Sequence, residues 1–197
     1  MSSSSTSSLD AAKSSSGPIY FGPFQVTSQV FHLTPLSFAL VNIKPILPGH
    51  VLVCPRRRVP RVSDLTAAET TDLFLTARRV GRMVERVFGA TSLNIAIQDG
   101  ADAGQSVPHV HTHIIPRRRA DLDHRGGTDA VYPMMDGEEG DIARFQCERM
   151  EDFAQGGERR RAGFPRVDNE ERKPRSEAEM VAEAQMLARE MEKEPEE

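Results

Sequence analysis

Only two cysteines, Cys54 and Cys147, occur in this sequence. That number makes neither a disulfide framework nor a zinc knuckle, and it suits a reducing, intracellular compartment. No run approaches the ~18 consecutive apolar residues that a membrane-spanning helix needs. A strong basic excess is also missing: the formal net charge is −4 and the pI is near 5.9. Nucleic-acid binding through a charged surface is therefore disfavoured. Residues 1–17 are Ser-rich and nearly devoid of large apolar side chains, with Lys13 as their one basic residue. Without an apolar stretch they read as a disordered tail, not as a secretory or transit signal. Residues 121–175 also lack clustered apolar side chains and are rich in Gly, Arg, Glu and Asp, which reads as a mobile or disordered insertion. A length of 197 residues then suits one domain, at residues 18–120, with extensions and a C-terminal helix at residues 176–197.

What the chain does have is a row of histidines. His109, His111 and His113 alternate with Val110 and Thr112, and Ile114 and Ile115 follow. Period-two alternation predicts a strand that projects the three imidazoles from one face, neighbours about 7 Å apart, with Val110, Thr112 and Ile114 on the other. A solvated His-rich strand would seldom alternate so strictly beside an apolar face. A zinc site could use two of the imidazoles, but the third lies roughly 13 Å from the first by strand geometry. A fourth ligand at a convincing spacing is also missing, so no metal site is assigned. The third reading is nucleophilic catalysis on phosphorus. A neutral imidazole keeps one unprotonated ring nitrogen at pH 7 and needs its other nitrogen held as a donor. On this reading the central residue, His111, is the nucleophile. His109 and His113 flank it as donors for the phosphate oxygens, and Ser106 and the loop amides before the strand hold further ones.

The rest of the chain supplies a frame. Residues 38–41 and 50–54 read as paired strands joined through Pro45, Pro48 and Gly49. Thr66 and Glu69 form a capping box, followed by Leu73, Ala77, Val80, Val84 and Val87 at helical spacing and closed by Gly89. Arg78, Arg79, Arg82 and Arg86 read as solvated. Residues 92–97 read as another strand, and Ser176 with Glu179 opens a second capped helix. Together these give an α+β domain, an antiparallel sheet with helices mainly on one side. Taken alone, Asn42 reads as a turn residue, His50 as a strand-end histidine, Gln98 as a strand-end cap, Phe21 as a core aromatic and His32 as a surface histidine.

The segment His109-Val110-His111-Thr112-His113-Ile114-Ile115 matches the His-φ-His-φ-His-φ-φ signature of the histidine triad (HIT) superfamily, Thr112 being the one polar substitute. Leu36-Ser37-Phe38-Ala39-Leu40-Val41-Asn42, Lys44-Pro45, Pro48-Gly49-His50-Val51-Leu52-Val53-Cys54-Pro55 and Gln98-Asp99-Gly100 resemble its fragile histidine triad branch. The resemblance covers residues 20–116. It implies a HIT-like antiparallel sheet with one long helix and a C-terminal helix, the sheets of two subunits meeting in a homodimer. It also implies hydrolysis of diadenosine triphosphate to AMP and ADP through a nucleotidyl-histidine. The catalytic residues it implies are His111, His109, His113 and, supporting the triad from a neighbouring strand, His50. It places Phe21 and Leu40 at the base pocket, Asn42 on the ribose, and Gln98 and Gln105 on ribose or phosphate. Tyr132 sits near a family loop tyrosine, at a longer spacing from the triad. No cofactor is implied in the protein, and Mg²⁺ or Mn²⁺ would arrive with the polyphosphate. The expected location is cytoplasmic, with the nucleus as a second site. The nucleotidyltransferase branch places Gln where this chain has His113. The adenosine phosphoramidase branch shares a Gly-Gln-Ser-Val loop but carries a C-terminal Trp-Pro-Pro, and this sequence has no tryptophan. Phosphoramidate hydrolysis, or a nucleotide-sensing module with slow turnover, are the alternatives.

Overall fold

The structure, a computed structural model, describes residues 8–136, 141–154 and 174–195. A short hairpin, β1 (Tyr20–Phe21) and β2 (Phe24–Gln25), precedes five longer strands: β3 (Val30–Leu33), β4 (Ser37–Val41), β5 (Val51–Pro55), β6 (Ser92–Ile97) and β7 (Thr112–Arg117). These five form one antiparallel sheet in the order β3-β4-β5-β7-β6. β4 and β5 are buried along their whole length and, after Ser37, read as apolar runs, as expected of strands covered on both faces.

Register decides which side chains meet which cover. His113 lies opposite Leu52 of β5 and Ala96 of β6, whereas Ile114 lies opposite Val51 and Ile95. The Ile114 face carries the long helix α2 (Ala67–Phe88), which buries Leu73, Ala77, Val80, Met83 and Val84. α2 begins where sequence places it, because the Thr66 hydroxyl accepts the Glu69 amide and the Glu69 carboxylate accepts the Thr66 amide. Arg57 donates twice to that same carboxylate, at 2.7 Å each, and the bond holds the Glu69 carboxyl down to about 2. The far end of α2 leans on the turn before β5: a Cβ on Gly49 would lie 2.5 Å from the Phe88 ring.

The helix α5 (Glu177–Met191) opens with its own capping box at Ser176 and Glu179 and packs on β3, β4 and α2. Its end is bound by arginines that sequence reads as solvated. Arg86 pairs with Glu190 and Glu194, and Arg79 donates to the Glu194 carbonyl at 2.8 Å. Two turns apart on α2, these two cations reach the end of α5, although Arg86 stays partly open to water.

Three expectations change. The Ser-rich tail is helical from Ser8 to Ser16 (α1) and lies against β3, half-burying Leu9 and Ala12, while residues 1–7 lie outside the described residues. Within the expected insertion, α3 (Val131–Asp136) and α4 (Ile142–Ala154) form, and residues 137–140 and 155–173 lie outside the described residues. Scattered apolar residues suffice here because each finds the sheet: Leu122, Val131, Met134 and Met135 cluster with Ile46 and Ile115. Since Ile115 shares its face with His113, helices cover both sides of the sheet. The third change concerns the histidine row. The β7 ladder starts only at Thr112. Pro108 has no amide hydrogen to give, the His109 amide turns back to Val107 at 2.7 Å, and Val110 bonds Val59 instead.

Candidate active site

The bend before β7 brings four histidine rings into a buried series. His111 and His113 have ring centroids 5.0 Å apart, and His50 from the start of β5 lies 5.2 Å from His113. Phe21 of β1 meets the His111 ring edge-on at 5.2 Å and the His109 ring at 5.7 Å. His109, His111 and His113 are each no more than 3% exposed.

Hydrogen bonds assign the protons. The Ile46 amide donates to His50 Nδ1 at 3.1 Å, so the hydrogen of a neutral His50 ring sits on Nε2. His50 Nε2 then donates to His113 Nδ1 at 3.0 Å. His113 must therefore carry its hydrogen on Nε2, a buried atom with no partner among the described residues. His111 donates through Nδ1 to the His109 carbonyl at 2.7 Å, which leaves the lone pair on Nε2. His109 is bound at both nitrogens: Nδ1 accepts the Gly22 amide at 3.0 Å and Nε2 donates to the Pro55 carbonyl at 2.8 Å.

Desolvation keeps these rings neutral. Burial pushes His109 down to about 4, helped by the nearby His111 and Arg58 and opposed by the bond to Pro55. Burial also lowers His111, against the bond to the His109 carbonyl. His113 lies well below the usual histidine value, from burial first and then from His111 and His50 beside it.

The other residues singled out in the sequence fall into two groups. Asn42 joins the series: its carboxamide nitrogen sits 3.3 and 3.5 Å from the two His50 ring nitrogens, and its oxygen accepts the Lys44 amide at 3.0 Å. Phe21 joins it through the ring contacts above. Leu40 is buried in β4 opposite Leu52, on the His113 face. The loop residues have other partners. Gln105 accepts the Gly100 amide at 3.0 Å and donates to the Pro60 carbonyl at 2.9 Å, so its carboxamide braces the loop. Gln98 faces the Met135 carbonyl of α3, and Ser106 Oγ faces the Ala143 amide of α4, both at 3.5 Å. Tyr132 lies on α3 and is 55% exposed. His32, read as a surface residue, has its Nε2 buried and its pKa lowered to about 4 by burial and by Arg79. No cluster of metal-ligating side chains occurs among the described residues.

The sequence model of the HIT domain matches residues 24–120. Over 173 residues the chain is 51% identical to the asymmetrical bis(5'-nucleosyl)-tetraphosphatase of Schizosaccharomyces pombe, spanning 86% of this chain and 92% of that protein. The chain belongs to the HIT domain family. The bis(5'-adenosyl)-triphosphatase of Dictyostelium discoideum is 55% identical over 114 residues, 57% of this chain and 74% of that one. Among solved structures, the Caenorhabditis elegans NitFhit protein superposes with a TM-score of 0.59 at 36% identity, over 88% of this chain and 30% of that chain.

Sequence reasoning missed the backbone contributors to the HIT site of this chain. The amides of Gly22 and Ile46 and the carbonyl of Pro55 fix which nitrogen of each ring carries hydrogen. A backbone group carries no side-chain signal, so only Gly22, marked by its residue type, had anything to read.

Proposed function

We propose that this chain hydrolyses dinucleoside polyphosphates, diadenosine triphosphate first among them, to AMP and ADP through an AMP–His111 intermediate. The order of protons across the ring series carries this reading. Within the triad, His111 Nε2 is the one nitrogen with a free lone pair, and His113 Nε2–H is the one donor without a partner among the described residues. The His111 lone pair attacks the α-phosphorus in line, the P–O bond breaks, and ADP leaves with the bonding electrons. His113 Nε2–H donates a hydrogen bond to the phosphate oxygens as charge gathers there. Water then adds to phosphorus, the P–N bond breaks, and the electron pair returns to Nε2. AMP departs and the water proton passes to solvent. His111 Nδ1–H stays bonded to the His109 carbonyl throughout.

Asn42, Phe21 and Leu40 would take the nucleoside, and Gln98 and Ser106 would exchange their 3.5 Å contacts, long for hydrogen bonds, for substrate oxygens. Any Mg²⁺ or Mn²⁺ would come with the polyphosphate. A homodimer through β6 is supported by its place at the sheet edge and by Ile95, which is 51% exposed there. A cytoplasmic or nuclear location suits the free thiols of Cys54 and Cys147.

Product analysis on the triphosphate, the tetraphosphate and an AMP-amine ester tests the substrate, with AMP plus ADP from the first as the expected outcome. The tetraphosphate matters because the fission yeast relative is named for it. Rapid quench should trap an acid-labile, base-stable AMP adduct on His111, and configuration at phosphorus should be retained. Inversion without an adduct would mean that water attacks directly and His111 is its base.

A further inference from the structure

The β1–β2 turn reaches the triad through a backbone atom. Gly22 N–H donates to His109 Nδ1, and the Pro55 carbonyl takes the hydrogen of His109 Nε2. Two separate elements thus hold one ring by both nitrogens, and neither nitrogen is left for a phosphate oxygen. Phe21 and Phe38 flank the ring, with centroids at 5.7 and 6.2 Å. The carbonyl of this same residue accepts the His111 Nδ1 hydrogen.

We propose that His109 is a positioning residue rather than a phosphate ligand, and that the Gly22 amide is the clamp that lets it hold His111 in its nucleophilic tautomer. The proposal rests on His111 being the nucleophile and goes beyond it. It explains a choice of residue outside the triad. Gly22 has φ +54°, and a Cβ there would lie 2.6 Å from Val107 Cγ1 in the loop that leads into the triad. A side chain here would press on that loop and force a backbone conformation it resists, so the turn that carries the amide calls for glycine. Neutrality is also required, since a protonated His109 would set its Nδ1–H against the Gly22 N–H.

The test begins on the unaltered protein. Nitrogen-15 spectra should show a through-bond coupling between the Gly22 amide and His109 Nδ1, with hydrogen on His109 Nε2 and on His111 Nδ1. Adding AMP should move the His113 Nε2 resonance and leave both His109 nitrogens in place. Hydrogen on His109 Nδ1, or a His109 nitrogen that shifts with AMP, would overturn the proposal. Two variants then separate the clamps. His109→Asn retains an acceptor for Gly22 but loses the reach to Pro55, and His109→Gln does the reverse. Each should lower kcat by about 100-fold, the cost of a ~1 Å misplacement. KM should stay within twofold, and the His111 spectrum should move toward mixed tautomers. A raised KM with an unchanged His111 spectrum would make His109 a ligand after all. The spectra do not depend on turnover. A failure to trap AMP on His111 therefore sinks the nucleophile assignment alone, while a wrong tautomer sinks this one.

Discussion

His50 orients two rings with one bond. The Ile46 amide forces its Nδ1 to accept, so its Nε2 must donate to His113 Nδ1 at 3.0 Å. In His50→Ala that donor is gone, and His113 is free to place its hydrogen on either nitrogen. Turnover should drop by about 100-fold, in the range by which one lost electrostatic donor slows other enzymes, with KM little changed because His50 lies behind His113. An unchanged kcat in stopped-flow assays would show that His113 finds its tautomer without help. At this scale the sequence was legible where a side chain does the work. His111 and His113 stood out in the row, while His50 and Asn42 read alone as a strand-end histidine and a turn residue and stood out only through the family resemblance. It was not legible where backbone does it, which is why His109 looked like an equal member of the row. The alternation suggested three equivalent imidazoles, but the strand ladder starts only at Thr112, so His109 and His111 lie before it.

Local signals carried the helices. Both capping boxes were readable because four residues contain the whole interaction, and both helices start where those residues stand. Thr66→Ala should cost about 1 kcal/mol of stability, the usual worth of an N-cap. Thr66 bonds within its own turn, to Glu69 and Thr70, so kcat should not follow. Urea melts beside steady-state assays check this, and a parallel loss of turnover would mean that the start of α2 communicates with the site. α3 and α4 left no such signature. Val131, Met134 and Met135 keep a helical i, i+3, i+4 spacing, but for one turn only, without a capping box and close to glycines and charges. Their order comes from the surface they meet around Ile115 and Ile46, which is tertiary information. α4 is tied in the same way, through Ile142 and Phe145 in the main core and through Lys44, whose ammonium lies 4.4 Å from the Phe145 ring centre.

For the molecule as a whole, buried neutral histidines set an acid limit. His109 and His32 both have pKa values near 4 when folded, against 6.5 as the ordinary value, and His111 and His113 are lowered as well. Between those values the unfolded chain binds more protons than the native one, so stability rises with pH through this window and is lost as pH falls. For His109 the full loss is about 3 kcal/mol, since each pH unit between the unfolded and folded values is worth about 1.4 kcal/mol. Thermal melts should be flat above pH 7 and then fall steadily from just below pH 6.5 toward pH 4. A midpoint that holds steady from pH 7 to pH 5 would mean that these rings take up protons in the folded state.

One contact lies at both scales at once. Gly49 has φ +84°, and its bare Cα faces the ring of Phe88 at the end of α2, in the turn whose Ile46 amide fixes His50. Even alanine would have to push that ring aside while adopting a conformation it resists. A saturation library at this position has two reasons to reject each substitution, one from the way α2 seats and one from the direction of the His50 ring. Sorting such a library for soluble protein and sorting it for catalytic output should return the same survivor, glycine. At Phe88 the two screens are free to disagree, because a smaller side chain there leaves a void under the turn without closing the space Gly49 needs.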